Sequence, residues 1–154
     1  MKKLAVLLPL FLVGCSKSYI PNTDVEDNSD NRKVISFCEE YRHAVEDKDV
    51  SKLLKLASPR YYEDGGNVNP EDDIDFDGLK DYLTATFVKT QTIRYEIRYR
   101  RVTYRADRVL VDYTYTGSFK IRGPDDEERW ERRLRDNRLE LVFVDGELQI
   151  LSGL

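Results

Sequence analysis

Two strongly polar residues, Arg132 and Asn137, fall on the inward phase of a strand pattern whose other members are apolar. A buried guanidinium is stable only against a carboxylate or an anionic ligand. Asp64, in an acidic loop, is the candidate partner, and an acidic small molecule is the candidate ligand. Other reactive side chains are scarce. His43 is the single histidine, and the chain holds no CxxC, no HExxH and no histidine pair, so neither a metal nor any other cofactor is expected. Cys38 shares a helical stripe with Val34, Phe37, Tyr41 and Val45, which reads as core filling rather than reactivity.

The element that must position Arg132 and Asn137 is a sheet spanning the last third of the chain. Ile93, Tyr95, Ile97 and Tyr99 alternate with Arg94, Glu96 and Arg98, the period of a strand with one buried face. Val109, Val111, Tyr113, Tyr115, Phe119 and Ile121 form a second such run. Pairing the runs around Ala106-Asp107 sets Tyr104 opposite Val109. One extra residue at Arg100-Arg101 then sets Tyr99 opposite Tyr113, Ile97 opposite Tyr115 and Ile93 opposite Phe119, as a β-bulge would. Tyr95 falls opposite Gly117, where a ring can cover a bare glycine. After the turn at Gly123–Asp126, Trp130, Arg132 and Leu134 resume the inward face, and a second slip near Asp136 brings in Asn137, Leu139, Leu141 and Phe143. Asp145-Gly146 is a hairpin signal that pairs Phe143 with Leu148 and Leu141 with Ile150.

Upstream, three helices are predicted. Asp30 or Asn31 caps the first, which runs to about Asp47, and Asp49 caps a second that stops at Ser58-Pro59. An irregular acidic stretch follows, with a short strand at Tyr61-Tyr62. Asp75 or Asp77 caps a third helix that puts Leu79, Tyr82, Leu83, Thr86 and Phe87 on one face. Helices first and an antiparallel meander after them define an α+β cone, with the helices packed on a curved four-stranded sheet.

Charge is segregated along this layout. Residues 60–81 carry eight acids against two bases, while residues 91–122 carry eight bases against three acids. The arginines largely occupy the outward phase, which reads as a solvated face with cross-strand pairs such as Arg100 or Arg101 with Asp112. Nucleic acid is therefore not an expected partner. The same charges make a hydrophobic dimer interface on that face unexpected, and the oligomeric state stays open.

The first residues carry an address. Lys2 and Lys3 precede an apolar run from Leu4 to Val13, too short for a permanent span and laid out as a secretory signal. Leu12-Val13-Gly14-Cys15 resembles the lipobox of bacterial lipoproteins, in which the peptide is cut before the cysteine and the cysteine is acylated. The resemblance implies residues 1–14 as signal peptide, Cys15 as lipid anchor, and a place in the cell envelope. Ser16 and Lys17 follow without an aspartate, which favours the outer membrane, facing the periplasm. Residues 15–31 read as an acylated cysteine and a flexible tether of about 16 residues reaching roughly 20 Å. Residues 32–154 make one domain.

Tyr41 with Lys48-Asp49 leading into Leu53-Leu54-Lys55-Leu56, then Tyr62-Glu63-Asp64-Gly65, and the ending Leu139 to Leu154 resemble the nuclear transport factor 2-like (SnoaL-like) superfamily. The resemblance covers nearly all of residues 32–154 and implies the cone fold. The superfamily includes isomerases, cyclases and dehydratases beside many noncatalytic binding domains. Ketosteroid isomerase-like members use a tyrosine on the first helix, a general-base aspartate after the second, and a protonated aspartate on the sheet. Tyr41 resembles the first as oxyanion donor, and Asp64 falls at or next to the second as base. The third position has no inward acid. Two functions follow: a noncatalytic envelope lipoprotein whose cone binds a small molecule or a partner protein, and, as the alternative, a ketosteroid isomerase-like or cyclase-like enzyme. Tyr41, Asp64, Arg132 and Asn137 are expected to meet in one cavity, with Trp130 and Tyr113 along its wall.

Overall fold

The computed structural model describes residues 17–123 and 125–154. Each helix starts where a short polar side chain satisfies its free amides. Asn28 accepts from Asn31 N at 2.8 Å and opens α1 (Ser29–Glu46), ahead of the Asp30 or Asn31 cap predicted. Asp49 opens α2 (Val50–Leu56) and Asp75 opens α3 (Phe76–Val88), both as expected. Between α2 and α3, β1 (Tyr62–Glu63) pairs with β2 (Ile74–Asp75).

The meander consists of β3 (Thr90–Tyr104), β4 (Val109–Arg122), β5 (Glu128–Val144) and β6 (Glu147–Ser152), antiparallel in that order. The register of β3 on β4 follows the hydrophobic phase. Ile93 pairs with Phe119, Tyr95 with Gly117, Tyr99 with Tyr113 and Tyr104 with Val109, with the ladder slipping between Tyr99 and Arg101. Arg101 bonds Asp112 at 2.8 Å across that slip. The closing hairpin also forms as expected, Asp145 and Gly146 both having positive φ and joining Phe143–Leu148 and Leu141–Ile150. The pairing is as expected but the burial is not: Phe143, expected on the inward face, is exposed beside this turn.

β5 departs from expectation. No slip occurs near Asp136: the β4–β5 ladder runs unbroken from Val109–Leu141 to Arg122–Glu128, and a register shift comes instead between β5 and β6 at Glu140–Leu141. Continuous pairing turns Arg129, Glu131, Arg133, Arg135 and Asn137 to the inner face and Trp130, Arg132 and Leu134 to the outer one. Burial governs register only where another layer covers the face. The core stops at Leu139, and residues 125–138 of this hairpin are almost wholly exposed, so unbroken hydrogen bonding decides. Trp130 instead lies beneath the Arg94 guanidinium, 5.4 Å from its ring centre.

The stretch expected to be a flexible tether is largely folded onto the domain. Cys15 and the signal-like stretch lie outside the described residues, but residues 18–28 are docked rather than free. Tyr19 bridges Glu26, Asp24 N donates to Tyr99 O at 2.9 Å, and Val25 is buried with the core. Arg98 and Arg100 both grip the Asp24 carboxylate, at 2.5 and 2.9 Å. Low hydrophobicity suggested disorder, yet one buried valine and one doubly bridged aspartate are enough to hold this strap along the β3 edge.

The core lies between the helices and the inner face of the sheet. Val34, Cys38 and Tyr41 of α1 and Leu53 of α2 meet Tyr99, Val111, Tyr113, Leu139, Leu141 and Ile150. Burial pushes the Cys38 thiol far above its ordinary range, so it remains an inert thiol as expected. At the lip of the cone, Lys48 Nζ donates to Thr90 O at 2.9 Å and Gln91 O at 3.0 Å, fastening the end of α1 to the start of β3. Among the described residues no helix is long and apolar enough to cross a membrane.

Candidate functional site

The cone holds a cavity of about 230 Å³. α1 contributes Tyr41 and Val45, α3 contributes Tyr82, Leu83, Thr86 and Phe87, and the sheet contributes Ile93, Tyr95, Tyr115, Phe119, Ile121, Arg133 and Asn137. The wall is aromatic because the inward phases of β3 and β4 are aromatic. Tyr41 meets Tyr95 edge-on with centres 6.4 Å apart, and Tyr95 packs on Tyr115 at 5.0 Å.

The polar groups lie at two levels. Where the core ends, Asn137, itself exposed, donates from Nδ2 to the hydroxyl of the buried Tyr113 at 3.1 Å. The Tyr41, Tyr95 and Tyr113 phenols are all buried, which first of all raises each above its ordinary range. Tyr41 is pushed well above it, so it stays a neutral hydrogen-bond donor. Nearer the mouth, Arg133 lies over the Phe119 ring, 5.2 Å from its centre, and bonds Glu131 at 3.2 Å. Gly117 makes this possible, since a Cβ there would come within 2.5 Å of the Phe119 ring.

Of the residues singled out in the sequence, Tyr41, Tyr113 and Asn137 come together, Tyr113 standing just behind the cavity wall. Asp64, Arg132 and Trp130 do not join them. Asp64 sits in an exposed loop, its Oδ1 accepting from Gly66 N at 2.9 Å as an ordinary turn. Arg132 pairs with Ser118 on the outer face and is exposed, so it neither meets Asp64 nor enters the cavity. Trp130 is on the same outer face and does not line the cavity. The missed arginine is Arg133. An unbroken ladder sets it opposite Gly117, which the Tyr95–Gly117 pairing had already located.

The arrangement can hold a flat apolar body between aromatic walls, donate hydrogen bonds to an oxygen at the base, and meet negative charge at the mouth. No aspartate, glutamate or histidine side chain lines the cavity, whose lining also includes Leu154. Among the described residues no cluster of histidine, cysteine or acids is placed to hold a metal.

An antiparallel meander closed by N-terminal helices around such a cavity is the cone of nuclear transport factor 2-like proteins, and solved structures share it. A provisionally named scytalone dehydratase from Novosphingobium aromaticivorans superposes with a TM-score of 0.68 at 11% identity, covering 80% of each chain. A provisionally named dehydratase of the nuclear transport factor 2-like family from Streptomyces avermitilis gives 0.63 at 14%, covering 82% of this chain and 95% of its own. A ketosteroid isomerase-like protein from Erwinia carotovora atroseptica gives 0.63 at 15%, covering 81% and 93%. No protein-family model matches the chain, and no curated protein matches it in sequence. The shared property is the fold.

Proposed function

We propose that this protein is a lipid-anchored envelope protein whose cone binds a small ring-bearing molecule without chemically changing it. The observation that carries the binding reading is the lining itself: aromatic walls, neutral phenol and amide donors, and no aspartate, glutamate or histidine side chain. Proton abstraction next to a carbonyl needs a carboxylate or imidazole within hydrogen-bond reach of the substrate. Asp64, the residue the isomerase reading requires, is engaged in a surface turn. Anchoring through Cys15 rests on the lipobox-like Leu12–Cys15, and the outer membrane on the Ser16-Lys17 that follows it. The ligand that fits is a small aryl compound bearing a carbonyl or phenolic oxygen, with a carboxylate tolerated beside Arg133.

A fluorescence titration with 4-hydroxybenzoate and 4-hydroxyacetophenone tests the binding reading. Saturable binding that weakens in Tyr41→Phe is expected. Turnover of a steroid enone or an aryl carbonyl compound, lost in Asp64→Asn, would replace it with the isomerase reading. Cell fractionation tests the anchor: Cys15→Ser is expected to leave the membrane fraction or to remain unprocessed.

A further inference from the structure

β6 covers only one end of β5. Its ladder runs over Glu140–Val144, whereas β5 begins at Glu128 and is paired to β4 from that residue on. β6 stops at Ser152, and Gly153 passes so close to β5 that a Cβ there would collide with the Arg138 carbonyl. Among the described residues, no backbone hydrogen bond from outside the β4–β5 ladder reaches residues 128–137. The peptide groups there that point away from β4 are open donors and acceptors, the condition for adding a strand.

Charge is ordered along this edge. Asp125, Asp126, Glu127 and Glu128 open it, and Arg132, Arg133 and Arg135 follow. Such a sequence is complementary to itself read backwards. We infer that the edge accepts a second copy of this chain, added antiparallel about a two-fold axis through Trp130. In that register Glu128 faces Arg132 of the second copy and Arg129 faces Glu131, each contact occurring twice, while the two Trp130 residues lie directly opposite each other on the axis. Just past the ladder, Glu127 and Asp125 lie toward Arg133 and Arg135.

Geometry and charge together select this register. Directly opposite residues share a face of the sheet, so a two-fold axis normal to the sheet must pass through a residue rather than between two. Centres at Arg129, Glu131, Arg132 or Arg133 set a charge against itself, and a centre at Leu134 sets Arg133 against Arg135. Trp130 is the centre within this stretch that opposes every charge. Arg132 is exposed and makes no ion pair among the described residues, whereas Arg129 and Arg133 already share Glu131. The ladder is short, so the dimer is weak, on the order of micromolar.

Sedimentation equilibrium on the purified chain at physiological salt tests this. A monomer–dimer equilibrium is expected, weakened at least tenfold by Arg132→Glu and restored by the charge swap Glu128→Arg/Arg132→Glu. Because Glu128 also pairs with Lys120, a second route avoids the swap. Trp130→Cys, sitting on the axis, is expected to give a disulfide-linked dimer under mild oxidation, and Leu134→Cys is not. A chain that stays monomeric at several hundred micromolar overturns the inference. So does a dimer indifferent to Arg132→Glu, or crosslinking through Leu134→Cys in place of Trp130→Cys.

Discussion

Asn137 Nδ2 donates to the Tyr113 hydroxyl at 3.1 Å, joining β5 to β4 directly behind the cavity. Tyr113 is almost fully buried, so its hydroxyl depends on partners within the cone. Asn137→Leu is expected to lower stability in urea unfolding by about 1 kcal/mol, the net worth of one such bond. Adding Tyr113→Phe to that variant should recover part of the loss, because the stranded hydroxyl is then gone. Strictly additive losses would mean that the two residues act independently.

Arg133, not Arg132, lines the cavity. Arg133→Ala is expected to weaken binding of an aryl carboxylate about tenfold or more while sparing a neutral aryl ketone. Arg132→Ala should leave both affinities unchanged. Titration of the two variants with both compounds separates the positions, and equal effects would remove Arg133 from the site.

Acid should release the strap along β3. Hydrogen bonds from Arg98 and then Arg100 hold the Asp24 carboxyl down to about 2, against an ordinary 3.8. A depressed folded-state value means the stabilisation is fully present above about pH 4 and is lost as pH falls through about 2. The Val25 methyl resonances are expected to leave their buried positions over that window. In Asp24→Asn the acid step should disappear, and the strap should already be looser at pH 7.

Two glycines are required for different reasons. Gly146 has φ +87° in the closing turn, so Gly146→Val is expected to cost on the order of 1 kcal/mol or more from backbone strain. Gly117 has ordinary φ but lies under the Phe119 ring. Gly117→Ala should displace that ring from beneath Arg133 and alter ligand affinity as well as melting temperature. If Gly117→Ala melts and binds like the parent, the ring does not depend on that space.

Much of the architecture was readable from residue types, and the limits of that reading have one cause. Alternating aromatics fixed the pairing of β3 with β4 down to the slip beside Arg101, because both strands face a packed core there. The same rule applied to Trp130, Arg132 and Leu134 produced a slip that does not exist, because beyond Leu139 no second layer covers the sheet. The site inherited both outcomes. Tyr41 and Tyr113 belong to the covered stretch and meet; Asn137 lies just beyond it and reaches Tyr113 because the unbroken ladder sets the two opposite, the same ladder that turns Arg133 inward and Arg132 outward. Asp64 was chosen on the spacing of a resemblance, and spacing within a loop does not determine where a side chain points.

The docked strap limits the reach of any anchor at Cys15. Ser18 O already accepts from Asp27 N at 2.8 Å, so the chain is held from its eighteenth residue onward. Were Cys15 to carry acyl chains, three peptide steps would separate the lipid from the folded body, at most about 11 Å of contour. A domain moored that closely cannot roam through the surrounding space as one on a long leash would. It would tumble little, keep one side toward the bilayer, and meet other copies by lateral diffusion within a plane. Confinement of that kind raises the effective concentration of neighbours, so a weak edge-to-edge pairing would be populated at the membrane at copy numbers that leave it empty in a test tube.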